Sequence, residues 1–388
     1  MTRTPLSADD LAVDRALADL ASGFRFLLDL TPVDLPGARD DFRATGQAPE
    51  FRYRDLEDDP ELAARRLAAV PVDDVSDPTL ASLLLAKHRE LGLQLEMLGC
   101  RGSTGFLALS IELYGAVGAE LLAEAEEILT RIPDPGPEKG PWLDAAAVAK
   151  AVQAELDRYR AFAPDLESHV QVREGSTGVM VSNGDVLIAP TCRVAVGRME
   201  ALLHHEVGTH VVTHANGANQ PLHVLASGLA GHDETQEGLA VLAEHLVGGL
   251  TPARLRQLAG RVVAVHLMVE RASFEEVHAA LVERGIPSHA AFSIVVRVFR
   301  AGGLTKDAVY LRGLRELVDH LARGADLDVL WLGKMPLSAA PLVADLHERG
   351  ELQDALLRPR YLDNPAAGDR LAHLPEIRSL AGLMDAAA

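Results

Sequence analysis

The chain has 388 residues, of which 48% are hydrophobic and 4% aromatic, and it carries a formal net charge of −19. This composition predicts a folded protein with an aliphatic core, organised as two domains or as one large domain. The negative charge argues against a nucleic-acid-binding protein, because the phosphate backbone would repel it. The two cysteines, Cys100 and Cys192, lie far apart, which predicts no disulfide framework and favours a reducing compartment.

The sequence contains no recognisable targeting or membrane segment. Four acidic residues precede position 20, and no apolar core of a signal peptide accompanies them. No stretch approaches the ~18 uncharged apolar residues that a membrane helix needs. We therefore expect a cytoplasmic protein with no membrane partner.

Helical periodicity dominates the first part of the chain. Ser7 is a candidate cap for a helix near the N-terminus, and further helices are predicted over 61–98, 106–131 and 143–162. The Pro- and Gly-rich segment RIPDPGPEKGPW, at 131–142, interrupts these helices. It is the best candidate for a domain boundary.

Short strands are predicted in the middle of the chain. Both HVQVRE at 169–174 and VMVSNGDVLIAP at 179–190 are rich in Val and Ile, and the second contains Asn183-Gly184, a strong β-hairpin signal. From about residue 196 the pattern is helical again almost to the end. A small sheet is therefore predicted between two helical halves.

These patterns predict an α+β fold that is predominantly α-helical. We divide the chain into a helical N-terminal region, residues 1–142, and a second domain, residues 143–388. The second domain would contain the small sheet and the C-terminal helices.

The segment ALLHHEVGTHVVTH, at 201–214, contains His205 and Glu206, followed by His210. In the common zinc-binding form of this motif the histidines are four residues apart, about 40° around a regular helix. A spacing of five gives about 140°, so a regular helix cannot direct both imidazoles to one metal. A π-type turn restores the alignment, and Gly208 lowers its cost. The sequence therefore predicts a metal site on a helix that is distorted between the two histidines.

Other interpretations of these histidines remain open. His210 and His214 also stand four apart, but no glutamate follows His210, and a chance match among 15 histidines would leave all of them structural. A catalytic zinc ion needs a third protein ligand and an open position. The segment 231–246 offers three acids along one helical stripe: Glu234, Glu237 and Glu244. The residues alone do not select one of them over an ordinary first-turn acid.

Two imidazoles and a carboxylate would leave zinc with a net positive charge, which lowers the pKa of a bound water. Glu206, next to the first histidine, is suited to take the proton of that water and pass it to a leaving amine. The constellation therefore predicts a zinc-dependent metallopeptidase with one zinc ion per chain.

Several separate motifs, in order along most of the chain, resemble one protein family. They are FRFLLDLTPV at 24–33, PEFRYR at 49–54, HHEVGTH at 204–210, GLAGHDETQEGLAVLAE at 228–244 and GGLTKDAVYLRG at 302–313. On these motifs the chain resembles the microtubule-associated tyrosine carboxypeptidase family, whose bacterial members are often labelled flavohaemoglobin-expression-modulating QEGLA-motif proteins.

This resemblance implies a metallopeptidase in which the glutamate of the QEGLA motif completes the zinc site. The implied ligands are His205, His210 and Glu237, with Glu206 as the catalytic base. Family members with known activity remove a C-terminal tyrosine from tubulin tails, so the implied substrate is a peptide or protein C-terminus. We expect a zincin-like catalytic domain.

The chain departs from the family pattern at three positions that are histidine here. They are His214, His232 and His245. We expect them on helix surfaces near the site, where they are candidates for secondary metal contacts.

A carboxypeptidase also needs a cation for the substrate carboxylate and a donor for the oxyanion. Lys306 and Arg297 are candidates for binding the substrate carboxylate. Tyr310 is the candidate oxyanion donor, and Lys306 and Tyr310 are both assigned catalytic roles. In the alternative interpretation, Lys306 is a solvated helix start and Tyr310 a core residue. The 179–190 hairpin precedes the metal helix, as an edge strand does in zincins, and could bind an extended peptide.

The leading hypothesis is a zinc metallopeptidase, a carboxypeptidase that cleaves residues from protein or peptide C-termini. A catalytically idle zinc-binding regulatory protein is the alternative, and a helical interaction module with structural histidines is the third hypothesis. The sequence predicts neither the preferred C-terminal residue nor the oligomeric state.

Overall fold

In the computed structural model, the described residues are 5–136, 138, 140–174 and 178–387. The fold is mostly helical, and its strands form two small sheets. The predominantly helical fold predicted from the sequence is therefore confirmed. Pro137 and Lys139, within the predicted boundary segment, lie outside the described residues.

The N-terminal helix α1 (Ala8–Ser22) begins where predicted, because Ser7 and Asp10 cap each other's backbone N–H groups. The following helices are α2 (Phe26–Asp29), α3 (Leu35–Thr45), α4 (Pro60–Ala68), α5 (Pro78–Gly99), α6 (Phe106–Tyr114), α7 (Ala119–Arg131) and α8 (Ala145–Arg160).

Two predicted helices are each divided in the structure. The helix predicted over 61–98 is wrong in its middle, because Pro71 and Pro78 separate α4 from α5. The helix predicted over 106–131 is divided at Gly115, whose φ of +78° ends α6.

The predicted hairpin is confirmed, and its Asn183-Gly184 turn has positive φ at both residues, 48° and 84°. It joins β3 (Val179–Ser182) to β4 (Asp185–Ile188), and β2 (Val170–Val172) pairs parallel with β4. The order β2-β4-β3 leaves β3 at an edge. A second sheet, which the sequence analysis missed, pairs β1 (Trp142–Asp144) with β5 (Arg193–Ala195) in antiparallel fashion.

The chain after residue 196 is helical, as predicted. The helices are α9 (Met199–His205), a π-helix (Glu206–Val211), α10 (Val212–Ala218), α11 (Val224–Ser227), α12 (His232–Leu246), α13 (Pro252–Val269), α14 (Phe274–Glu283), α15 (Ser288–Phe299), α16 (Val309–Ala322), α17 (Ala340–Glu348) and α18 (Pro365–His373). Short 3-10 helices lie at Val72–Asp74, Val196–Arg198, Arg300–Gly302, Thr305–Ala308, Asp328–Trp331, Leu337–Ala339, Arg360–Asp363, Leu374–Glu376 and Leu380–Ala387.

Separate hydrophobic cores hold the elements that carry the functional side chains. The largest includes residues on both sides of residue 142, such as Leu84 and Leu258. A second core packs α8 and β4 against the π-helix through Val152, Val186 and Val207. The division into 1–142 and 143–388 stays a prediction.

Among the described residues, no single helix is long and apolar enough to cross a membrane. Helices α6 and α7 reach that length and composition only together, and they meet at an 89° bend.

Candidate metal centre

The helix that carries the two predicted histidine ligands changes its winding between them. Helix α9 ends at His205, a π-helix spans Glu206–Val211, and α-helical winding resumes in α10. The predicted distortion is therefore confirmed. Because the π-helix closes i→i+5, it brings the His205 and His210 rings to a centroid distance of 5.3 Å.

Glu237, one turn into α12, completes a group of three possible metal ligands. Its Oε2 lies 3.7 Å from Nε2 of His205 and 3.7 Å from Nε2 of His210. Each residue offers one ligand atom, and these atoms all lie within 4.8 Å of one another. Helix α12 packs against both α9 and the π-helix, which fixes the approach of the carboxylate.

This donor set fits a metal ion better than it fits direct hydrogen bonding. Oε2 of Glu237 is buried and has no hydrogen-bond partner among the described residues, since 3.7 Å is too long for one. Tetrahedral zinc at ~2.1 Å from each ligand would separate the ligand atoms by about 3.4 Å. A buried carboxylate oxygen between two imidazole nitrogens is therefore an arrangement that a divalent ion would satisfy.

His205 is oriented by an acid on the other side of its ring. Its Nδ1 lies 2.9 Å from Oε1 of Glu244. The same carboxylate accepts from Arg198 at Oε2, at 2.6 Å, and from Arg254 at Oε1, at 3.1 Å. Burial lowers the pKa of His205 in spite of Glu244, which favours the neutral ring that metals bind. The Nε2 atom thus remains directed at Glu237 and His210.

Lys306 lies on the other side of the Glu237 carboxylate. Its Nζ is 3.5 Å from Oε1 of Glu237 and 3.1 Å from Oδ1 of Asp233, and the side chain is only 3% exposed. Burial opposes ionisation of Glu237, but Lys306, the largest opposing influence, and His210 outweigh it and hold the pKa of Glu237 well below the usual range. Glu237 therefore stays ionised and able to bind a cation.

Glu206 is buried beside these ligands, with 7% of its surface exposed. Burial and the charge of Glu237 raise the pKa of Glu206 well above its usual range. A carboxyl group with a raised proton affinity, next to a candidate metal ligand, is suited to proton transfer.

Two cavities, of about 400 and 900 Å³, meet at the candidate metal centre. Both are lined by His205, Glu206, Arg297 and Tyr310. The edge strand β3 lines the smaller one, together with residues 24–28. His205 and Glu206 thus face both cavities, whereas His210 and Glu237 line the smaller one.

The three secondary residues predicted from the sequence all line the smaller cavity, but both cations are paired with acids. Lys306 holds Asp233 and Glu237, and Arg297 binds Asp307 in bidentate fashion at 2.5 and 2.8 Å. Tyr310 faces both cavities, and the Arg261 guanidinium lies 4.7 Å from its ring centroid. Their roles in substrate binding and catalysis stay predictions.

His214, His232 and His245 do not join the candidate metal group of the described residues. The ring of His214 contacts the backbone O of Ala226 at 3.2 Å, and His232 contacts that of Leu229 at 2.9 Å. The expectation that His245 lies on a helix surface is wrong, since it is only 4% exposed.

Sequence reasoning missed the ion pairs that hold the site, because they join distant segments. Asp307 directly follows Lys306 in the motif at 302–313, which only weakly indicated that it belongs to the site. Glu244 was one of three acids on the stripe, but nothing local indicated that it would bind His205 rather than a metal.

A search of curated protein sequences finds no significant match to this chain. The family model described as microtubule-associated tyrosine carboxypeptidase matches residues 40–378. The match includes all three members of the candidate metal group, and the family name implies a carboxypeptidase that acts on tyrosine. With a match over most of its length, the chain belongs to the microtubule-associated tyrosine carboxypeptidase family.

Proposed function

We propose that this protein is a zinc-dependent carboxypeptidase that hydrolyses the last peptide bond of a protein or peptide. The observation that carries the proposal is the buried Oε2 of Glu237, without a hydrogen-bond partner among the described residues and 3.7 Å from the Nε2 atoms of both His205 and His210. Since the family is named for tyrosine, a C-terminal tyrosine is the first substrate to test.

His205, His210 and Glu237 would hold one zinc ion. Two imidazoles and one carboxylate are the protein ligands of many catalytic zinc sites, which leave a position open. The ion, when bound, would polarise the scissile carbonyl and acidify a water molecule. The winding of the metal helix, the acid from the next long helix and the nearby edge strand β3 also support a zincin-like fold.

Glu206 would act as the general base and then as the general acid. Its buried position, next to His205 and facing both cavities, keeps its carboxylate close to the reacting atoms. It would take a proton from the attacking water and deliver it to the leaving amine. Its raised pKa would favour the second transfer.

The other predicted residues would bind substrate or position the ligands. An extended peptide could pair with the free edge of β3, which lines the smaller cavity. Tyr310 is a candidate hydrogen-bond donor to the oxyanion, and Arg297 a candidate contact for the substrate carboxylate. The pairing of Lys306 with Glu237 favours a role in holding the ligand.

Metal content is the first test. Elemental analysis of the wild type should give about one zinc per chain, and His210→Ala should lose it. His214→Ala is the matched control, because it removes a histidine of the same helical segment that does not belong to the metal group. A wild type that stays metal-free after zinc is added back would contradict the proposal.

Turnover separates an enzyme from a catalytically idle zinc-binding regulator. Glu206→Gln should retain zinc and lose at least about 100-fold in the rate of tyrosine release from peptides. If wild type and Glu206→Gln are equally inactive on every peptide while both bind zinc, the regulatory alternative stands instead.

A further inference from the structure

Three arginines that line the two cavities, Arg261, Arg297 and Arg300, are grouped around one buried acid, Asp307. Asp307, which is 1% exposed, binds Arg297 through two hydrogen bonds and lies 3.7 Å from Nε of Arg261. A third guanidinium, that of Arg300, lies near the same acid but forms no ion pair within 4 Å with any described residue. One carboxylate thus faces three guanidinium groups.

Arg300 is the least compensated of the three. It is 7% exposed, its Nη1 donates to Oγ1 of Thr31 at 3.2 Å, and its Nε has no partner among the described residues. Burial and the charge of Arg297 lower the pKa of Arg300 to about 10, so the group is still protonated at neutral pH. A buried cation without an acidic partner is costly, and an anion in the cavity would offset that cost.

Two other cations of this cavity have acidic partners. Lys306 is paired with two acids, and Arg25 lies 2.5 Å from Glu57. Lys334 has no acid within 4 Å among the described residues, and burial lowers its pKa to about 8. Only a guanidinium can grip both oxygens of a carboxylate in a planar fork, which favours Arg300 over Lys334.

We infer that Arg300 binds the C-terminal carboxylate of the peptide and thereby makes this protein select chain ends. Arg300 lines the same cavity of about 400 Å³ as His205, Glu206 and His210, so an anion at the guanidinium lies within the space that contains the reacting groups. Arg297 lines the same cavity, but Asp307 already accepts two hydrogen bonds from its guanidinium, so Arg300 is the stronger candidate for this carboxylate. The inference rests on the proposed function for its substrate class, since a peptide chain ends in one free carboxylate.

The test compares peptides that differ only at the C-terminal group. Zinc-loaded Glu206→Gln protein is titrated into fluorescent peptides that end in tyrosine, either as the free acid or as the amide, and binding is followed by anisotropy. The acid should bind about 10- to 100-fold more tightly. Arg300→Met should reduce this ratio to about 1, whereas Arg300→Lys should retain part of it.

A second variant keeps Arg300 and gives it a carboxylate partner from the protein itself. Thr31→Asp would place a carboxylate beside Nη1 of Arg300, so it should abolish the preference for the acid even if Arg300→Met fails to fold. Thr31→Asn, which has nearly the same shape and no charge, should keep the preference. Arg25→Met is the control for the loss of one positive charge from the same cavity.

Equal affinity for acid and amide in the Glu206→Gln protein would overturn the inference, and so would a preference that Lys334→Met abolishes and Arg300→Met leaves intact. The proposed function fails in a different way. Suppose that wild type releases no amino acid from any peptide, while the preference for the free acid is observed and is lost in Thr31→Asp. The anion site would then be supported and the peptidase activity would not. If wild type hydrolyses amides as fast as acids, the peptidase stands without the anion site.

Discussion

Nδ1 of His205 lies 2.9 Å from Oε1 of Glu244, and Nε2 of the same ring faces Glu237. One imidazole therefore connects a structural acid to a candidate ligand acid. Since Nδ1–H donates to Glu244, Nε2 carries the free lone pair that a metal ion needs. Arg198 and Arg254 hold Glu244 in turn, so the orientation of the ring depends on groups that do not touch the metal group themselves.

Glu244→Gln should weaken zinc binding by about 10- to 100-fold, because an amide oxygen is a weaker acceptor for Nδ1–H and no longer balances the two arginines. Zinc affinity is measured by competition with a chromogenic chelator. Glu200→Gln is the control, since Glu200 lies on the same metal helix and its side chain is 69% exposed. An unchanged zinc affinity in Glu244→Gln would show that Glu244 does not orient His205 for metal binding.

The contact between α12 and α16 should be disrupted by a single added methyl group, because two glycines allow the helices to approach each other closely. A methyl group built on Gly238 would overlap the backbone of Gly313, and one built on Gly313 would overlap the carbonyl of Glu234. Gly238→Ala should therefore lower the free energy of unfolding by about 1–3 kcal/mol. It should also weaken zinc binding, because Glu237 is the adjacent residue.

Gly92→Ala is the matched control for that substitution. Gly92 lies within α5, and a methyl group there would meet only Cδ2 of Leu67, at 3.8 Å. We expect it to be neutral or to stabilise the protein by up to about 1 kcal/mol, by helix propensity. Both variants are compared by urea unfolding, and equal effects of the two would contradict the tight helix contact.

The metal helix could be predicted because its signal is local. The spacing of His205 and His210 required a distortion, and the π-helix at Glu206–Val211 provides it. The choice of Glu237 was not local, because Glu234 and Glu244 lie on the same stripe of α12. In the structure Glu234 binds Arg312 on α16 and Glu244 binds His205, so the packing of α12 against both α16 and the metal helix decides the choice.

The remaining features depend on contacts between distant segments or on single backbone positions. The pairs of Lys306 with Asp233 and of Arg297 with Asp307 form only after α12, α15 and the 3-10 helix before α16 have packed together. The strand pair β1–β5 uses three residues on each side, too few for a periodic pattern to be visible. Gly115 interrupts an otherwise helical pattern, and its positive φ was not predictable from that pattern.

Lys306 should stabilise the metal-free protein more than the zinc-loaded one. In Lys306→Met, Asp233 and Glu237 lose their buried counter-charge, which should cost about 3 kcal/mol or more in the free energy of unfolding without zinc. Zinc would then neutralise acids that have lost their lysine partner, so it should stabilise Lys306→Met more than it stabilises the wild type. The rise in Tm on zinc addition should therefore be larger in Lys306→Met than in the wild type. Lys150→Met, at an exposed position of α8, should leave the zinc-dependent rise unchanged. An equal rise in all three proteins would show that Lys306 does not compensate the metal ligand.

His245 should make the protein less stable in mild acid. Burial lowers its pKa from 6.5 to about 4, so between these values the unfolded chain binds a proton that the folded chain excludes. The free energy of unfolding should therefore fall by about 2 kcal/mol from pH 7 to pH 5 through this residue alone, and this loss should level off below pH 4. In His245→Gln the difference in stability between pH 7 and pH 5 should shrink by that amount, as measured by urea unfolding at each pH. His169→Gln, at a side chain that is 72% exposed, should not flatten the profile in this way, and an unchanged profile in His245→Gln would mean that His245 is not held neutral.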